Sequence, residues 1–481
     1  MPFILKTIAG FLIFSSGFIA AAQLTPSPLL PAEVKSFLEL DTSRKIYISS
    51  INITGNKRTK DYIIRREMRV KQGDSLRASM VAKLIEESRS LVYNTTLFSR
   101  VEIIPYVDSN SLSVNVIVKE KWYIYPSPQF KLIDRNFNEW VKIYNADLQR
   151  VIYGVKFSHY NFTGRRDYLR FYLLTGYARN ISAGYSAPYS NKKLTQGFSV
   201  SAGFSQSRET GYKTTTRNFI SNYKEKGFVT QSFSASGAYI IRRGHYNNHV
   251  ISAGYSFIKV DDSVTIKSNG DYFNKNKSSV SLPYLSYLFS HVHVDNISYP
   301  LKGTFYATSF LKRGTGIKGG TNLFEINSSA SRFIPHKKNW YSSLQLTGKL
   351  KAPFNVAYIN RHALGFNDFY LRGLENYVID GVATAVLKYT LKKKIVSFDI
   401  PLPFHIKAFP KIPISIFAKT YADAGTSYIP MRFDTRLNNR LLYTSGFGID
   451  VLTLYDISIR LEYSFNQIGE NGLFLHAKGG F

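Results

Sequence analysis

The sequence predicts an α+β domain of order β-α-α-β-β followed by a 16-stranded antiparallel transmembrane β-barrel. Helix-spaced apolar residues are concentrated before residue 122, and beyond it apolar residues alternate with small or polar ones. The chain is also 15% aromatic, with 34 Tyr and 35 Phe. Alternation with a period of two gives a strand one apolar face, and abundant aromatic residues are typical of strands that cross a membrane.

The first 22 residues have the pattern of a cleaved export signal. Lys6 gives a positive start, residues 8–19 are largely apolar, and residues 20–22 are alanines. The alternative is a retained anchor helix, but the apolar run is shorter than the roughly 20 residues that span a bilayer. Residues 23–45, which contain three prolines, are interpreted as an exposed leader without an assigned function.

Composition limits the classes of function. The sequence has no Cys, which excludes disulfides, a thiolate nucleophile and Cys-ligated metals. The net charge of +30 could indicate nucleic acid, but an exported chain does not meet it. Residues 46–121 hold only 13 basic against 8 acidic side chains, so most of the excess lies further on. There it would meet lipid phosphates or acidic clients, or simply form a solvated surface.

Residues 46–121 have the pattern of a compact α/β domain. A first strand runs through apolar residues up to the turn at Gly55, and Thr59 is predicted to cap the first helix. The second helix is expected to start near Asp74 or Ser75. Its apolar face is predicted to consist of Leu76, Met80, Leu84 and Leu91.

Two further strands complete the domain, one over 101–107 and one over 112–118. In the second, Leu112 and every second residue up to Val118 should face inward. Pro105 lacks a backbone donor, so its strand should lie at an edge or be bulged there.

These residues resemble a POTRA domain. The segment 51–56 with Thr59 is similar to that family's first strand and turn, and Leu97-Phe98 is similar to its exit from the second helix. Glu120 stands near the position at which such domains close their last strand with an acidic residue. The resemblance implies a sheet edge that binds extended clients. We assign that edge to Val101, Ile103 and Tyr106. An unrelated small α/β domain is the alternative.

Residues 122–481 have the pattern of the barrel. Residues 198–204, 233–239 and 251–257 alternate apolar with small or polar side chains. In a soluble sandwich the apolar face would pack on a second sheet, whereas in an outer-membrane barrel it faces lipid. Residues 126–481 number 356. At about 22 residues per strand and its connections, they form about 16 strands.

The chain ends on Phe481, which resembles the terminal aromatic signal by which outer-membrane barrels are recognised for assembly. Gly479 departs from that pattern, because a larger apolar residue is more usual there.

The segment 370–374, Tyr-Leu-Arg-Gly-Leu, is similar to the Arg-Gly motif in the long sixth loop of the BamA/TamA family, which folds back into the barrel. The resemblance implies that Arg372 meets an acidic partner on the inner wall, from an aromatic-x-Asp-x-Gly strand. Asp423 and Gly425 match that pattern. A guanidinium can bind a carboxylate through two hydrogen bonds, and Gly373 permits a sharp turn. A rim arginine is the alternative reading of Arg372.

Two departures concern this loop. Leu374 stands where the family usually has an aromatic residue, and residues 386–389 lack the Glu that is common on the following strand. Separately, residues 153–154 and 160–165 resemble the family's first hairpin, whose strand would meet the last strand at a lateral seam. An ordinary hairpin is the alternative there.

No enzyme constellation, cofactor motif or metal-ligand spacing is found in the sequence. The resemblance therefore implies an insertase in the outer membrane, with its POTRA domain in the periplasm. Its partners would be unfolded outer-membrane or secreted client proteins, outer-membrane lipids and accessory lipoproteins, without nucleic acid. A single POTRA domain favours a specialised member of the family. A secretion pore for one passenger and a passive porin are the alternatives.

Overall fold

The computed structural model describes residues 30–39, 41–108, 111–133, 145, 147–274, 276–316, 320–366, 369–401, 411–430 and 435–478. The predicted signal at 1–22 and the terminal Phe481 lie outside the described residues. None of the helices within those ranges combines the length and the apolar character needed to cross a bilayer.

The N-terminal domain is a four-stranded sheet with helices packed on it. Its elements are α1 (Ala32–Glu39), β1 (Lys45–Thr54), α2 (Asp61–Glu67), β2 (Ser75–Arg77), α3 (Ala78–Tyr93), β3 (Phe98–Asp108) and β4 (Ser111–Glu120). The strand order is β2-β1-β4-β3, with β1 parallel to β4 and the other pairs antiparallel. The predicted order of two helices and three long strands is confirmed, with α1 and the short β2 in addition.

Two predictions about the helical parts were wrong. The second helix begins at Ala78, because Leu76 belongs to β2, which pairs with β1. Met80 is 47% exposed, whereas Val81 and Ile85 are buried beside the predicted Leu84. The leader is also more than an exposed segment, since the core contains two side chains of α1, Val34 and Leu38.

Thr59 does not cap the first helix. The residue at the helix start is Lys60, which makes no side-chain cap. Instead, the Thr59 hydroxyl donates to Glu120 Oε1 at 2.6 Å, and the Thr59 amide donates to the same oxygen at 2.7 Å. The carboxylate at the end of β4 thus binds the turn before α2. This contact between distant residues engages the hydroxyl that was predicted to cap the helix.

The strand that contains Pro105 is an edge strand, as predicted, because within the described sheet β3 pairs with β4 alone. The inward alternation of β4 is confirmed as well, since Leu112, Val114, Val116 and Val118 are all buried. In β1 the pairing shifts between Ile48 and Ser50, which lets both Ile48 and Ile51 reach the core.

The C-terminal domain is the predicted 16-stranded antiparallel barrel. Its strands are β5 (Ile124–Leu132), β6 (Val151–Tyr160), β7 (Tyr168–Gly176), β8 (Ala178–Ala187), β9 (Gln196–Ser207), β12 (Thr230–Arg243), β13 (Asn247–Val260), β14 (Ser279–Val294), β15 (Gly303–Arg313), β16 (Leu323–Pro335), β17 (Trp340–Ala352), β20 (Ala383–Pro401), β21 (Lys411–Tyr428), β22 (Leu441–Leu452), β23 (Ser458–Asn466) and β24 (Asn471–Lys478). They pair in chain order from β5 to β24. Two small hairpins lie in the connections, β10 (Glu209–Thr214) with β11 (Ile220–Lys224) and β18 (His362–Leu364) with β19 (Ile379–Asp380).

The two faces of the barrel wall differ as the alternation predicts. Phe198 and Val200 on β9, like Phe233 on β12, are 41%, 52% and 43% exposed on the outer face. On the inner face, Ser201 lies opposite Ser236 in the ladder, and their hydroxyls are 2.9 Å apart. Paired serine hydroxyls hydrogen-bond to each other inside the barrel, while the apolar side chains form its outer surface.

Candidate functional site

The connection between β17 and β20, residues 353–382, folds back into the barrel. The side chains of Leu364, Leu371, Leu374 and Ile379 are at most 2% exposed. They form one cluster with Val386 of the wall. Lys351 holds the base of this loop, since its ammonium donates to the carbonyls of Asn360 at 2.6 Å and His362 at 2.7 Å. The loop is therefore a packed part of the barrel interior.

Arg372 and Asp423 meet, as the resemblance implies. Arg372 Nε donates to Asp423 Oδ2 at 2.9 Å, and Nη2 forms a second, short contact with Oδ1. The Arg372 amide also donates to Oδ2 at 3.2 Å. Asp423 is 3% exposed, so its charge is balanced inside the protein rather than by solvent. A bidentate ion pair of this kind fixes the orientation of both side chains.

Other wall groups complete the environment of Arg372. Nη1 donates to the Thr390 hydroxyl at 3.0 Å, and Nη2 donates to the Tyr389 carbonyl at 3.3 Å. The guanidinium carbon lies 4.0 Å from the centroid of the Tyr421 ring. The strand β20 thus binds Arg372 without the Glu that is common at this strand in the family that the sequence resembles. Leu374, in place of an aromatic residue, packs in the apolar cluster.

The two glycines of the motif are needed at these positions for different reasons. Gly373 has φ 86°, and a Cβ there would lie 2.7 Å from the Cβ of Ser464 on β23. Its carbonyl accepts from Asn466 Nδ2 at 2.9 Å. Gly425 has ordinary backbone angles, but a Cβ there would lie 3.1 Å from Leu371 Cδ1. The first glycine permits the turn, and the second leaves room for the loop against the wall.

The first and last strands of the barrel have no ladder between them in the described residues. The ladder of β5 with β6 uses odd-numbered residues of β5, because Tyr160 N donates to Tyr123 O and Ile133 N donates to Arg150 O. The even-numbered residues of β5 therefore direct their backbone groups to the free edge. Pro126 and Pro128 lie there, so two donors are missing from that edge. We call this edge of β5, with β24 opposite, the seam.

The prediction that residues 153–154 and 160–165 form the seam hairpin was wrong. Gly154 lies in the second barrel strand, between Gln129 of β5 and Leu174 of β7. The turn after it contacts the POTRA-like domain, since Lys60 N donates to Gly164 O at 3.0 Å. The two prolines of β5 were the sequence signal for the seam, because proline within a strand indicates an edge.

A buried charge cluster joins the N-terminal domain to the barrel. Glu67, at the end of α2, is 0% exposed and binds Arg242 of β12 through Nη1 at 2.5 Å and Nη2 at 2.7 Å. The Tyr189 hydroxyl donates to Glu67 at 2.7 Å. Three guanidinium groups lie within 6 Å of the Tyr189 ring centroid, those of Arg66, Arg166 and Arg242.

Burial by itself would raise the pKa of Glu67. The charge and hydrogen bonds of Arg242, together with the charges of Arg166 and Arg66, more than offset this effect and hold the pKa of Glu67 below its usual 4.5. The carboxylate is therefore ionised at neutral pH, and the interface contains a balanced charge cluster. Sequence reasoning missed it, although Glu67 follows Ile63 at helical spacing on the buried face of α2.

A second set of contacts joins the same two domains. Asn94 donates to the Val294 carbonyl at 2.7 Å, and Tyr93 donates to Asp456 at 2.8 Å. Arg166 Nε donates to the Thr95 carbonyl at 3.1 Å. The N-terminal domain is thus attached to several turns at one end of the barrel. We call the whole set of contacts the interdomain interface.

The comparisons with known proteins agree with this architecture. The POTRA family model, described as a surface antigen variable number repeat, matches residues 46–121. The chain is 28% identical to the outer membrane protein assembly factor BamA of Neorickettsia risticii over 305 residues, which is 61% of this chain and 35% of that protein. It is 41% identical to the BamA of Neisseria meningitidis serogroup B over 58 residues, which is 11% of this chain and 7% of that protein.

A solved structure shows the same fold. CdiB from Escherichia coli aligns over 90% of this chain and 75% of its own with a TM-score of 0.51 and 13% identity. The aligned part of the chain corresponds to about a third of the length of the Neorickettsia relative. The chain therefore contains a POTRA domain followed by a 16-stranded barrel, and over the aligned residues it is similar to the BamA assembly factors.

Proposed function

We propose that this protein is an insertase that binds client polypeptides through its POTRA domain, in the periplasm, and assists their insertion into the outer membrane at the seam. The missing donors of β5 carry this proposal. Each backbone hydrogen bond contributes about 0.5–1.5 kcal/mol net, so the absence of two weakens seam closure by about 1–3 kcal/mol. Trp122 Nε1 also binds the Ile124 carbonyl, which faces the same edge. A weakly paired edge can exchange its partner for a client strand.

In this proposal, the POTRA edge binds a client through groups other than the side chains that we predicted. Val101 and Ile103 are 5% and 7% exposed and point into the core, so their side chains do not face a client. Tyr106 is 46% exposed on the same strand. In this proposal, β3 binds an extended client through its backbone edge, and Tyr106 adds a side-chain contact. The interdomain interface holds that edge at one end of the barrel.

The remaining partners belong to the proposal as well. The exposed apolar residues on the outer wall would contact outer-membrane lipids. Accessory lipoproteins would be further partners, and the clients would be unfolded outer-membrane or secreted proteins. The resemblance to the assembly factors supports these assignments.

Restoring the missing donors tests the insertase. We expect Pro126→Thr with Pro128→Thr to strengthen the seam by about 1–3 kcal/mol, which lowers its opening about 5- to 150-fold. Client assembly should slow in cells and in liposomes, while the protein keeps its heat-modifiable migration. Pro413→Thr is the matched control, because Pro413 pairs with Asp399 within the wall, away from the seam. Equal client assembly by the double variant and wild type, with both folded, would contradict the role of the seam.

Proteomics of the outer membrane after depletion separates the insertase from the other functions. Loss of several barrel proteins is the expected result. Loss of one secreted passenger, with other barrels intact, would instead establish a secretion pore. High ion conductance with no change in other outer-membrane proteins would establish a passive porin.

A further inference from the structure

The loop and the last two strands bring together three side chains that the sequence keeps far apart. Glu375 lies two residues after Gly373 in the loop, Glu462 lies on β23 and His476 lies on β24. One ligand atom from each lies within 4.8 Å of the other two. Their separation along the chain is the reason that motif spacing could not reveal them.

The distances among these atoms suit a metal ion. His476 Nε2 is 3.0 Å from Glu375 Oε2 and 3.6 Å from Glu462 Oε2. Zinc binds imidazole nitrogen and carboxylate oxygen at about 2.0–2.2 Å, so adjacent ligands of a tetrahedral site lie about 3.3–3.6 Å apart. The two distances from His476 Nε2 lie close to that range.

The surrounding groups orient the three ligands. Glu462 accepts a hydrogen bond from Lys419 at 2.5 Å through Oε1, which leaves Oε2 directed at His476. The His476 ring stacks on Tyr370, with centroids 5.8 Å apart and planes at 18°. Such contacts from a second layer are what hold ligands in place at metal sites.

Glu375 brings a negative charge to this position. The side chain of Glu375 is 12% exposed and binds His476. Lys419 binds both Asp450 and Glu462, and Lys388 lies over the Tyr370 ring. A buried carboxylate needs a positive partner, and a divalent ion shared with Glu462 would provide it.

The cluster borders a polar cavity of about 140 Å³, whose lining includes Tyr370, Glu462 and His476. Since one water takes about 30 Å³, the cavity has room for a water molecule as the fourth ligand. Its lining also includes Arg372 of the loop.

We propose that Glu375, Glu462 and His476 bind a divalent transition metal, with Zn²⁺ as the best match, and that the ion links the loop to the last barrel strand. Imidazole with two carboxylates is a donor set that zinc accepts, whereas Mg²⁺ and Ca²⁺ prefer oxygen ligands alone. Bound metal would hold β24, one side of the seam, against the loop. The metal site is independent of the proposed function. The effect of bound metal on seam opening, however, rests on the proposed function.

Titration of Zn²⁺ into the metal-stripped full chain in detergent, followed by calorimetry, tests the site. We expect one Zn²⁺ per chain, binding at least tenfold weaker in His476→Gln and Glu375→Gln, and no comparable binding of Mg²⁺. His291→Gln is the matched control, because His291 lies on β14 and contacts Asn247. No stoichiometric Zn²⁺ binding by the wild type, or equal binding by His476→Gln, would overturn the proposal.

X-ray absorption of the Zn²⁺-loaded wild type provides a test that does not depend on a variant folding. One imidazole nitrogen and two or more oxygen ligands are expected, and a shell of water alone would overturn the site. Failure of either zinc test leaves the effect of Pro126→Thr with Pro128→Thr on client assembly unchanged, so the two proposals fail separately.

Discussion

Removal of the Arg372 side chain should release the loop from the barrel wall. In Arg372→Ala, Asp423 would keep its buried position and lose the two guanidinium contacts that balance its charge. Loss of one partner from a buried ion pair costs about 3–5 kcal/mol. Every 1.4 kcal/mol is tenfold, so the ratio of docked to undocked loop should fall roughly 100-fold to several-thousand-fold.

A single introduced thiol can report this change, because the chain has no Cys. Leu374→Cys would lie at a position that is 2% exposed when the loop is docked. Maleimide labelling of intact cells should be slow in the Leu374→Cys chain and much faster when Arg372→Ala is added. Client assembly should fall in parallel.

Two further variants separate charge from geometry. Arg372→Lys keeps the positive charge but cannot bind Asp423 in a fork, so its labelling rate should lie between those of wild type and Arg372→Ala. The exchanged pair, Arg372→Asp with Asp423→Arg, should recover part of the protection. If Arg372→Ala labels no faster than the parent and assembles clients normally, the ion pair does not hold the loop.

The remaining predictions concern the interdomain interface and the turn of the loop. Glu67→Gln leaves the buried Arg242 without its carboxylate, so hydrogen exchange in α2 should accelerate, and unchanged exchange would refute the role of the cluster. Because the pKa of Glu67 is lowered, its contribution is complete above pH 4.5 and is lost as the pH falls below that value. Acid should therefore loosen the interface of the wild type and have a smaller effect on Glu67→Gln. Gly373→Ala should weaken loop docking by at least about 1–2 kcal/mol, from its positive φ and the contact with Ser464. Gly227→Ala, with nothing within 4 Å of the added Cβ, is its control in the same labelling assay.

The parts of the fold that the sequence predicted correctly rest on local, repeated patterns. Alternation along β9 and β12 determines which side chains face outward, because successive residues of a strand point to opposite sides. Pro105 predicted an edge for the same kind of reason, since a missing donor is a property of one residue. The pairing of Arg372 with Asp423 was predicted from a resemblance rather than from such a pattern. The structure places the two residues in contact.

Tertiary structure decided the contacts between residues that are distant along the chain. Thr59 is a residue type that commonly caps helices. In the folded chain, however, its amide and its hydroxyl both donate to Glu120. Val101 and Ile103 belong to an edge strand, yet only the packed helices determine that their side chains point inward.

The seam depends both on residues visible in the sequence and on the tertiary structure. Pro126 and Pro128 were visible in the sequence as residues that weaken an edge. Which strand edge stays free depends on the register of β5 with β6 and on the barrel around it, because a hydrogen-bond ladder is a relation between strands. The sequence alone thus determined the faces of the strands and their approximate number. The folded chain decided which charges meet, which turn is bound, and which strand edge has no ladder in the described residues.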